Sequence, residues 1–271
     1  MHWKDIRRDS DAGLRLGILG NPIEHSLSPI MHNAALRALG IHGSYEAFAV
    51  EESEFQSCVY HLRDCGFMGL NVTIPHKELA AKISYADHDV VKILGVANTL
   101  MLTYPIRARN TDVEGFYAPL KNMQPGRALV LGAGGAAKAV VYALLSHGWQ
   151  VSLYNRTREK AKNFVRFFNA DIEILENPDP RNCNLVVNAT PLGLHDEMPE
   201  ILWENIGGDT CVYDLAYRKE PTELLKFAAS KGLRIIDGRE MLVEQGALSL
   251  EWWIGVRAQR DVMRKAVGLE V

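Results

Sequence analysis

Short apolar runs alternate with helical patterns from residue 128 to residue 236, and this alternation constrains the fold more than any other feature. A short apolar run predicts a buried strand, and apolar residues at helical spacing predict the helix that covers it. Parallel strands require a crossover, so this order predicts a doubly wound parallel sheet of Rossmann type. The predicted strands are Ala128–Leu131, Trp149–Tyr154, Ile172–Leu175, Leu185–Ala189, Cys211–Leu215 and Arg234–Ile236, and the predicted helices are Lys138–His147, Thr157–Phe168 and Thr222–Ser230.

The first third of the chain predicts a separate α/β domain. Its apolar runs predict strands at Leu16–Leu19, Tyr45–Val50 and Gly69–Ile74. The intervening patterns predict a helix from Pro29 to Leu39, with Ser28 as N-cap, and a helix over Glu52–Cys65, with Gly66 as C-cap. This β-α-β-α-β order predicts a mixed or parallel sheet covered by helices.

The chain from Met241 onward contains helical patterns only. It cannot complete the sheet of the middle segment, so we expect it to return to the first domain. The resulting expectation is an α/β protein of two domains. One is built from residues 1–112 plus 240–271, and the other is a Rossmann-type domain of residues 113–239.

A turn of small residues follows the first strand of the middle segment. It consists of Gly132, Ala133, Gly134, Gly135, Ala136 and Ala137, between a predicted strand and a predicted helix. Small residues allow a tight turn and close approach of the backbone to a pyrophosphate, which the helix N-terminus then binds. In this context the pattern predicts a dinucleotide site.

The end of the next strand distinguishes the two nicotinamide dinucleotides. An NAD site places Asp or Glu there to bind the ribose 2′-hydroxyl. This chain has Asn155, Arg156 and Thr157, followed by Lys160. A guanidinium, a hydroxyl and an ammonium suit a 2′-phosphate, so we expect NADP (NADPH); the alternative for these residues is an ordinary solvated helix start.

The composition excludes several classes of protein. The 30 Lys and Arg nearly balance the 33 Asp and Glu, so the charge indicates neither a nucleic acid nor an acidic membrane as partner. The N-terminus is too polar for a signal peptide, and no apolar run is long enough to span a membrane. The four cysteines fit neither a zinc site nor a disulfide framework. We therefore expect a cytoplasmic protein with reduced cysteines and no metal; His195, Asp196 and Glu197 fit a solvated loop.

Polar side chains gather in loops and at a strand end of the first domain. They are Ser26 and Ser28 in one loop, Thr73 at the end of the third strand, Lys77 after it, and then Asn98 and Asp112. Taken singly, each has an alternative as a helix cap or turn residue.

Taken in order, eight motifs resemble those of the shikimate dehydrogenase family over roughly residues 16–250. The motifs are HSLSP, NVTIPHK, GVANT, NTDVEGF, GAGGAA, NRT, NATPLG and GREMLVEQGA. The resemblance implies that residues 1–112 plus 240–271 bind substrate and that residues 113–239 bind NADP. It also implies reversible NADPH-dependent reduction of 3-dehydroshikimate to shikimate, in aromatic amino-acid (chorismate) biosynthesis.

The same resemblance assigns roles to residues of this chain. Lys77 and Asp112 are the expected catalytic pair, and Ser26 and Ser28 the expected ligands of the substrate carboxylate. The other expected substrate contacts are Thr73, Asn98, Tyr217 and Gln245. The cofactor site is expected to include Thr190, Leu215, Gly238 and Met241 besides the glycine-rich turn and Asn155, Arg156, Thr157 and Lys160.

Three alternatives remain at this point. A broader quinate/shikimate dehydrogenase shares the motifs; for a version that uses NAD, Asn155-Arg156-Thr157 is an argument against. A non-catalytic sensor of pathway intermediates would have lost Lys77 or Asp112, and both are present. A folate or glutamyl-reductase relative would lack the HSLSP loop. The expected assembly is a monomer or a homodimer.

Overall fold

The computed structural model describes residues 2–9, 11–194 and 196–270, and the chain divides into two compact units. The first comprises Met1–Thr111 and Val243–Val271, and the second comprises Asp112–Leu242. The final helix packs against the first helix of the chain, within the first unit. This confirms the expected return of the C-terminal segment.

The first unit is a six-stranded sheet with helices packed on it. Its elements are β1 (Leu14–Gly20), α1 (Ser28–Ala38), β2 (Gly43–Ala49), α2 (Phe55–Asp64), β3 (Phe67–Val72), α3 (Lys77–Lys82), β4 (Tyr85–Ala86), α4 (Asp89–Leu94), β5 (Thr99–Met101) and β6 (Arg107–Arg109). The C-terminal part adds α10 (Arg260–Ala266) and most of α9 (Gly238–Ile254), helices numbered after those of the second unit.

Strand direction in this sheet decides where its loops meet. The strand order is β2-β1-β3-β5-β6-β4. Strands β1 and β3 pair in parallel, whereas β5 is antiparallel to both β3 and β6. The ends of β1, β3 and β6 therefore lie at one edge with the start of β5. We call this edge the carboxyl edge of the first sheet.

Three features of the first unit differ from the sequence predictions. Strands β4, β5 and β6 were not predicted, because runs of two or three residues carry too little periodicity. Helix α1 begins at Ser28 itself, so the N-cap is Leu27 and the prediction of Ser28 as cap is wrong. Residues Glu52–Glu54 form a 3-10 turn that precedes α2, so the predicted longer helix is divided.

The second unit is a fully parallel sheet in the order β12-β11-β10-β7-β8-β9, which confirms the doubly wound prediction. Every residue of β10 and β11 is buried, as expected for strands covered on both faces. The elements are α5 (Asp112–Tyr117), β7 (Arg127–Leu131), α6 (Gly135–Ser146), β8 (Gln150–Tyr154), α7 (Arg158–Phe168), β9 (Ile172–Ile174), β10 (Leu185–Asn188), β11 (Cys211–Asp214), α8 (Glu223–Ser230) and β12 (Arg234–Asp237).

Helix α6 begins three positions before the predicted Lys138, at Gly135. Gly134 is its N-cap, and Gly135, Ala136 and Ala137 form its first turn. The sequence predicted a loop for these residues because glycine has a low helix propensity. At the start of α6, the tertiary contacts of the buried Ala137 outweigh this low propensity.

None of the helices in the described chain is long and apolar enough to cross a membrane.

Helix α1 places the ring of His32 inside the first unit. The ring stacks on Tyr45 with centroids 4.1 Å apart, and a Cβ built at Gly246 of α9 would lie 3.1 Å from its Nε2 atom. Neither ring nitrogen has a hydrogen-bond partner among the described residues. Burial therefore lowers the pKa of His32 to about 3, because nothing replaces the hydration of the imidazolium.

This buried imidazole should make the protein sensitive to acid. The unfolded chain binds a proton near pH 6.5 and the folded chain only near the His32 pKa of about 3. The unfolded state thus binds more protons in that window, and the free energy of unfolding falls as the pH falls. From pH 7 to pH 5 the His32 contribution is a loss of about 2 kcal/mol. The variant His32→Phe keeps a stacked ring and should lose about 2 kcal/mol less than the wild type over that range, measured by urea unfolding.

An exposed histidine provides the control. His88 lies at the surface before α4, and His88→Asn should keep the wild-type pH dependence. If His32→Phe and the wild type lost equal free energy between pH 7 and pH 5, the buried neutral imidazole would not be the cause.

Candidate active site

A buried polar network lies at the carboxyl edge of the first sheet. The Asn71 side chain of β3 is its centre: Oδ1 accepts from the Tyr45 hydroxyl at 2.7 Å, and Nδ2 lies 3.1 Å from the Asn98 carbonyl oxygen. Nδ2 also lies 3.2 Å from Thr99 Oγ1 and 3.0 Å from Ser249 Oγ. Because each buried polar group has a partner, the network costs little to bury and holds its members in place.

The structure brings Asn98 and Gln245 together, although 147 residues separate them in the chain. Asn98 Nδ2 donates to Gln245 Oε1 at 3.3 Å and to Thr111 Oγ1 at 2.9 Å. Asn98 Oδ1 accepts from the backbone N–H of Thr111 at 2.8 Å. Two amides that the sequence assigned to the substrate site are thereby fixed side by side.

The serine loop after β1 leaves one hydroxyl without a protein partner. Ser26 Oγ accepts from the backbone N–H of Ser28 at 3.3 Å. Ser28 is only 2% exposed, yet its own hydroxyl makes no hydrogen bond within the part of the chain that the structure describes. Since Ser28 is not the cap of α1, its hydroxyl has no structural role and is available to a ligand.

The loop after β3 lies next to the serine loop. Thr73 N donates to Leu19 O at 2.9 Å, and Asn21 N donates to Ile74 O at 3.0 Å, so backbone bonds join the two loops. The Thr73 hydroxyl, like that of Ser28, has no partner among residues 2–9, 11–194 and 196–270. Two adjacent loops thus present two hydroxyl groups at one edge.

His76 anchors this second loop, a role that the sequence left open. Its Nε2 lies 2.7 Å from the carbonyl oxygen of Val50, which can only accept, so Nε2 carries the proton. The ring also stacks on Phe55 with centroids 4.9 Å apart. The following residue, Lys77, begins α3 and is half-buried. His76 therefore fixes the backbone that carries Lys77.

The predicted catalytic pair is divided between the two units. Lys77 belongs to the first unit, and its carbonyl oxygen accepts from Ala97 N at 2.9 Å. Asp112, 6% exposed, is the first residue of α5 and of the second unit. It directly follows Thr111, which the Asn98 side chain holds. The pairing of the two side chains stays a prediction.

The glycine-rich turn in the second unit has the features that a pyrophosphate requires. Gly132 has a φ of +105°, and its N–H donates to Tyr154 O at 2.8 Å. A Cβ at Gly134 or Gly135 would meet nothing within 4 Å, so the space beside both is open. No side chain caps the start of α6. The first N–H groups of this helix can therefore bind an anion.

The segment after β8 carries the predicted 2′-phosphate ligands. Arg156, Thr157 and Lys160 are exposed, and Asn155 Nδ2 donates to Thr157 O at 2.8 Å, which shapes the turn. Arg158 is engaged with Glu176 at 2.7 Å. By contrast, the side chains of Arg156 and Lys160 make no ion pair or hydrogen bond in the described chain. Both cations are thus available to a phosphate.

A second polar network supports the loops after β10 and β11. The buried Asp214 carboxylate accepts from Asn188 Nδ2 at 2.8 Å, Thr222 Oγ1 at 2.6 Å and Ala216 N at 3.1 Å. Burial is the largest effect on this carboxyl and raises its pKa to about 6, against these hydrogen bonds. Asn188 Oδ1 in turn accepts from the Thr190 hydroxyl at 2.6 Å. The network thus positions Thr190, a predicted cofactor residue.

The remaining predicted residues lie near the ends of β11 and β12. Tyr217 is half-buried, and burial raises the pKa of its hydroxyl to about 12. Gly238 begins α9 against the backbone of Leu215: a Cβ there would lie 2.6 Å from the Leu215 carbonyl oxygen. Met241 is half-buried in the first turns of α9. Within this unit, close backbone packing therefore requires the glycine.

Sequence reasoning did not identify the residues that support the site. Asn188, Asp214, Thr222 and Ser249 are all buried and hydrogen-bonded, but none stands out in a single sequence. The available signal was a polar residue inside an apolar run, as in LVVN and CVYD. The described residues contain no cluster of three potential metal ligands. His195 lies outside the described residues, and the neighbouring Asp196 is exposed and pairs with Arg218 at 2.7 Å.

Comparison with known proteins gives matches to both units. The Shikimate dehydrogenase substrate binding domain matches residues 18–100, Shikimate / quinate 5-dehydrogenase matches residues 118–190, and the Shikimate 5'-dehydrogenase C-terminal domain matches residues 238–267. A shikimate dehydrogenase (NADP(+)) of Methanocella arvoryzae is 40% identical in an alignment of 262 residues. The alignment covers 92% of this chain and 96% of that protein.

Two solved structures share the fold of this chain but differ in their sequence identity to it. Shikimate 5-dehydrogenase of Thermus thermophilus, in complex with NADP(H) and shikimate, is 36% identical with a TM-score of 0.87, over 94% of this chain and 98% of that one. A 5-ketofructose reductase of a Gluconobacter species has a TM-score of 0.86 at 25% identity, over 95% and 99% of the two chains. The fold alone therefore leaves the substrate open. The identity that extends over nearly the whole length of an NADP-dependent relative decides the relationship: this chain belongs to the shikimate dehydrogenase family.

Proposed function

We propose that this protein catalyses the reversible, NADPH-dependent reduction of 3-dehydroshikimate to shikimate, a step of chorismate and aromatic amino-acid biosynthesis. One observation of the site carries the proposal. The hydroxyls of Ser28 and Thr73, without partners among the described residues, lie in adjacent segments at the carboxyl edge of the first sheet. There Lys77 follows β3, Asn98 precedes β5, and Gln245 of α9 bonds Asn98. Ligands of α/β sheets bind beyond this edge.

The serine loop fits a small carboxylate. A carboxylate has two acceptor oxygens, and hydroxyl donors at Ser26 and Ser28 can each bind one of them. A hydrogen bond to a charged carboxylate is stronger than one between neutral groups. Donors on a short loop suit the compact acid of a shikimate ring, and Thr73 on the neighbouring loop extends the row of hydroxyls.

Polar groups of three further elements fit the ring hydroxyls. Asn98 and Gln245 offer amides that are already fixed by their mutual hydrogen bond. Tyr217 adds a phenol that is protonated at neutral pH, and burial raises its pKa further, to about 12. A site built to bond hydroxyls rejects analogues that lack them, since its own polar groups would be left unsatisfied.

The reaction adds hydride to the carbonyl carbon and a proton to the carbonyl oxygen. Bound NADPH supplies the hydride, and the protein supplies the proton and stabilises the developing charge. We assign the ammonium of Lys77 to the carbonyl oxygen, as acid in reduction and base in oxidation. Asp112 is its partner, which places the ammonium and takes part in the proton exchange.

The cofactor fits the groups that the second unit presents. The uncapped start of α6 suits the pyrophosphate, with Gly132, Ala133, Gly134, Gly135, Ala136 and Ala137 forming the turn and first helical residues. Arg156 and Lys160 suit the 2′-phosphate, with Asn155 and Thr157 beside them. Thr190, Leu215, Gly238 and Met241 are assigned to the nicotinamide side of the same cofactor.

The remaining expectations about the protein's setting are also proposals. We expect it to act in the cytoplasm as a monomer or homodimer, with small molecules rather than nucleic acid as its partners. The near balance of acidic and basic residues supports the last point.

Parallel assays with shikimate and quinate test the proposed substrate. Quinate carries a hydroxyl on the ring carbon that is part of a double bond in shikimate. A site that fits the planar, trigonal carbon of shikimate should therefore discriminate against the tetrahedral carbon of quinate. Oxidation of each acid is followed by the absorbance of the reduced cofactor, NADPH when NADP is supplied and NADH when NAD is supplied. Turnover of shikimate with NADP supports the proposal. Equal kcat/KM for quinate would indicate the broader dehydrogenase, and failure with both acids would overturn the proposal.

Loss of the Lys77 ammonium should remove most of the activity. Lys77→Ala should lower kcat by about 10²–10⁴-fold, the usual contribution of a general acid. The KM for NADPH should stay near that of the wild type, because Lys77 lies in the first unit and the glycine-rich turn in the second. The exposed Lys82 on the same helix provides the control, and Lys82→Ala should keep full activity.

Asp112→Asn should impair the same step. If the two residues act as one unit, the double variant should be scarcely slower than Lys77→Ala alone. Near-normal kcat in Lys77→Ala, or losses that multiply in the double variant, would contradict the assigned pair.

Cofactor choice should depend on Arg156. A charge-assisted hydrogen bond contributes about 1.5–3 kcal/mol, so Arg156→Ala should lower kcat/KM for NADPH by about tenfold or more. The value for NADH should scarcely change, because NADH lacks the 2′-phosphate. Lys160→Ala should act in the same direction but less, because an ammonium is more strongly hydrated than a guanidinium.

Arg158→Ala is the matched control for this prediction. Arg158 is also an exposed arginine, two residues away, but its guanidinium is engaged with Glu176. The variant should leave the ratio of NADPH to NADH activity unchanged. Equal losses with both cofactors in Arg156→Ala would mean that Arg156 serves the fold or the adenine.

A further inference from the structure

One buried hydroxyl outside every motif contacts residues of four different motifs. Ser249 lies in the middle of α9 and is 0% exposed. Its Oγ lies 3.0 Å from Asn71 Nδ2, 2.8 Å from Thr99 Oγ1 and 3.1 Å from Thr111 Oγ1. It also donates to the carbonyl oxygen of Gln245, one turn earlier, at 2.9 Å.

We propose that Ser249 is a positioning residue that sets the orientation of the Asn98 and Gln245 amides toward the substrate ring. This inference rests on the proposed function, in which both amides bind ring hydroxyls. Its four contacts come from the four segments that carry the site: NVTIPHK through Asn71, GVANT through Thr99, NTD through Thr111, and the closing helix through Gln245.

Helix formation does not account for a serine at this position. Serine is a weaker helix former than alanine, and a hydroxyl bonded to the carbonyl oxygen one turn earlier tends to bend a helix. The neighbours Ala247 and Leu250 are buried hydrophobic residues. The hydroxyl must therefore be explained by its polar contacts.

Counting donors fixes the direction of the bonds. The Ser249 hydroxyl has one hydrogen and two acceptor positions. The hydrogen goes to the Gln245 carbonyl oxygen, and one acceptor position takes a hydrogen of Asn71 Nδ2. The second takes the hydroxyl hydrogen of Thr99 or Thr111. In either case Ser249 accepts from a threonine and fixes the direction of that hydroxyl.

The backbone N–H of Thr111 determines which end of the Asn98 amide is the oxygen, and the fixed threonine hydroxyls hold both ends of that amide in place. When Thr111 donates to Ser249, its oxygen accepts from Asn98 Nδ2 at 2.9 Å, and Thr99 donates to Asn98 Oδ1 at 3.1 Å. Asn98 then gives its other N–H to Gln245 Oε1. That bond directs the Gln245 amide to act as a donor through Nε2, which suits the oxygen of a ring hydroxyl.

Removing the hydroxyl should therefore affect substrate binding and not cofactor binding. In Ser249→Ala the two threonines can bond each other, since their oxygens lie 3.4 Å apart, and the Asn98 amide is then held by the Thr111 backbone N–H without fixed hydroxyl partners. We expect the KM for shikimate to rise roughly threefold to tenfold, as for the loss of one hydrogen bond. The KM for NADP should stay within about twofold of the wild type.

The control removes a comparable buried hydroxyl elsewhere. Thr210 is buried in the second unit, and its hydroxyl donates to the Cys183 carbonyl oxygen at 2.7 Å. Thr210→Val should lower Tm without changing the KM for shikimate. A merely structural role for Ser249 would give the same result in Ser249→Ala.

A double variant tests the coupling directly. If Ser249 acts through Gln245, the combined loss in Ser249→Ala with Gln245→Ala should be smaller than the product of the single losses. If Ser249→Ala does not fold, Ser249→Cys retains the volume with a weaker donor and is measured in the same way.

The outcomes separate this inference from the proposed function. A wild type without shikimate turnover overturns the function. A wild type with turnover, combined with an unchanged KM for shikimate in the Ser249 variant or with independent losses in the double variant, overturns the role of Ser249 alone.

Discussion

The first unit depends on satisfying one buried amide, that of Asn71. This side chain is 4% exposed inside a sheet, where an unsatisfied polar group would be costly. Its partners come from β2, the start of β5 and α9, through Tyr45, Thr99 and Ser249. Strand β5 must therefore run antiparallel beside β3, and α9 must pack on this sheet. The same requirement brings Asn98 and Gln245 to the carboxyl edge.

The second unit solves a similar problem with a buried carboxylate. Asp214 accepts hydrogen bonds from the loops after β10 and β11, through Asn188, Ala216 and Thr222. Burial raises the pKa of Asp214 to about 6, which is still below 7. At neutral pH the group is therefore a carboxylate that accepts from three donors. Asp237 and Arg239 form a second pair, in which two guanidinium nitrogens lie 2.8 and 2.9 Å from the carboxylate oxygens. Polar networks thus fix the loops that carry Thr190 and Tyr217.

Both units therefore use the same physical arrangement. Buried strands provide a rigid base, buried polar side chains at their ends fix the loops, and the groups proposed to bind ligands extend from those loops. Ser28, Thr73, Arg156 and Lys160 have no hydrogen-bond or ion-pair partner for their side chains among the described residues, whereas the residues beneath them are fully bonded.

The sequence alone determined the parallel sheet of the second unit, because strand and helix periodicities differ and short apolar runs alternate with helical patterns from β7 to β12. It also determined the family, through eight ordered motifs, and the preference for NADP, because no carboxylate occupies the end of β8. Only the tertiary structure decided the rest. Strands β4 to β6 are too short to carry a periodic signal, and their directions follow from the pairing of β5 with β3, of β6 with β5 and of β4 with β6. The role of Ser249 was invisible in the sequence, because a hydrogen-bond network depends on distances between segments that lie far apart in the chain.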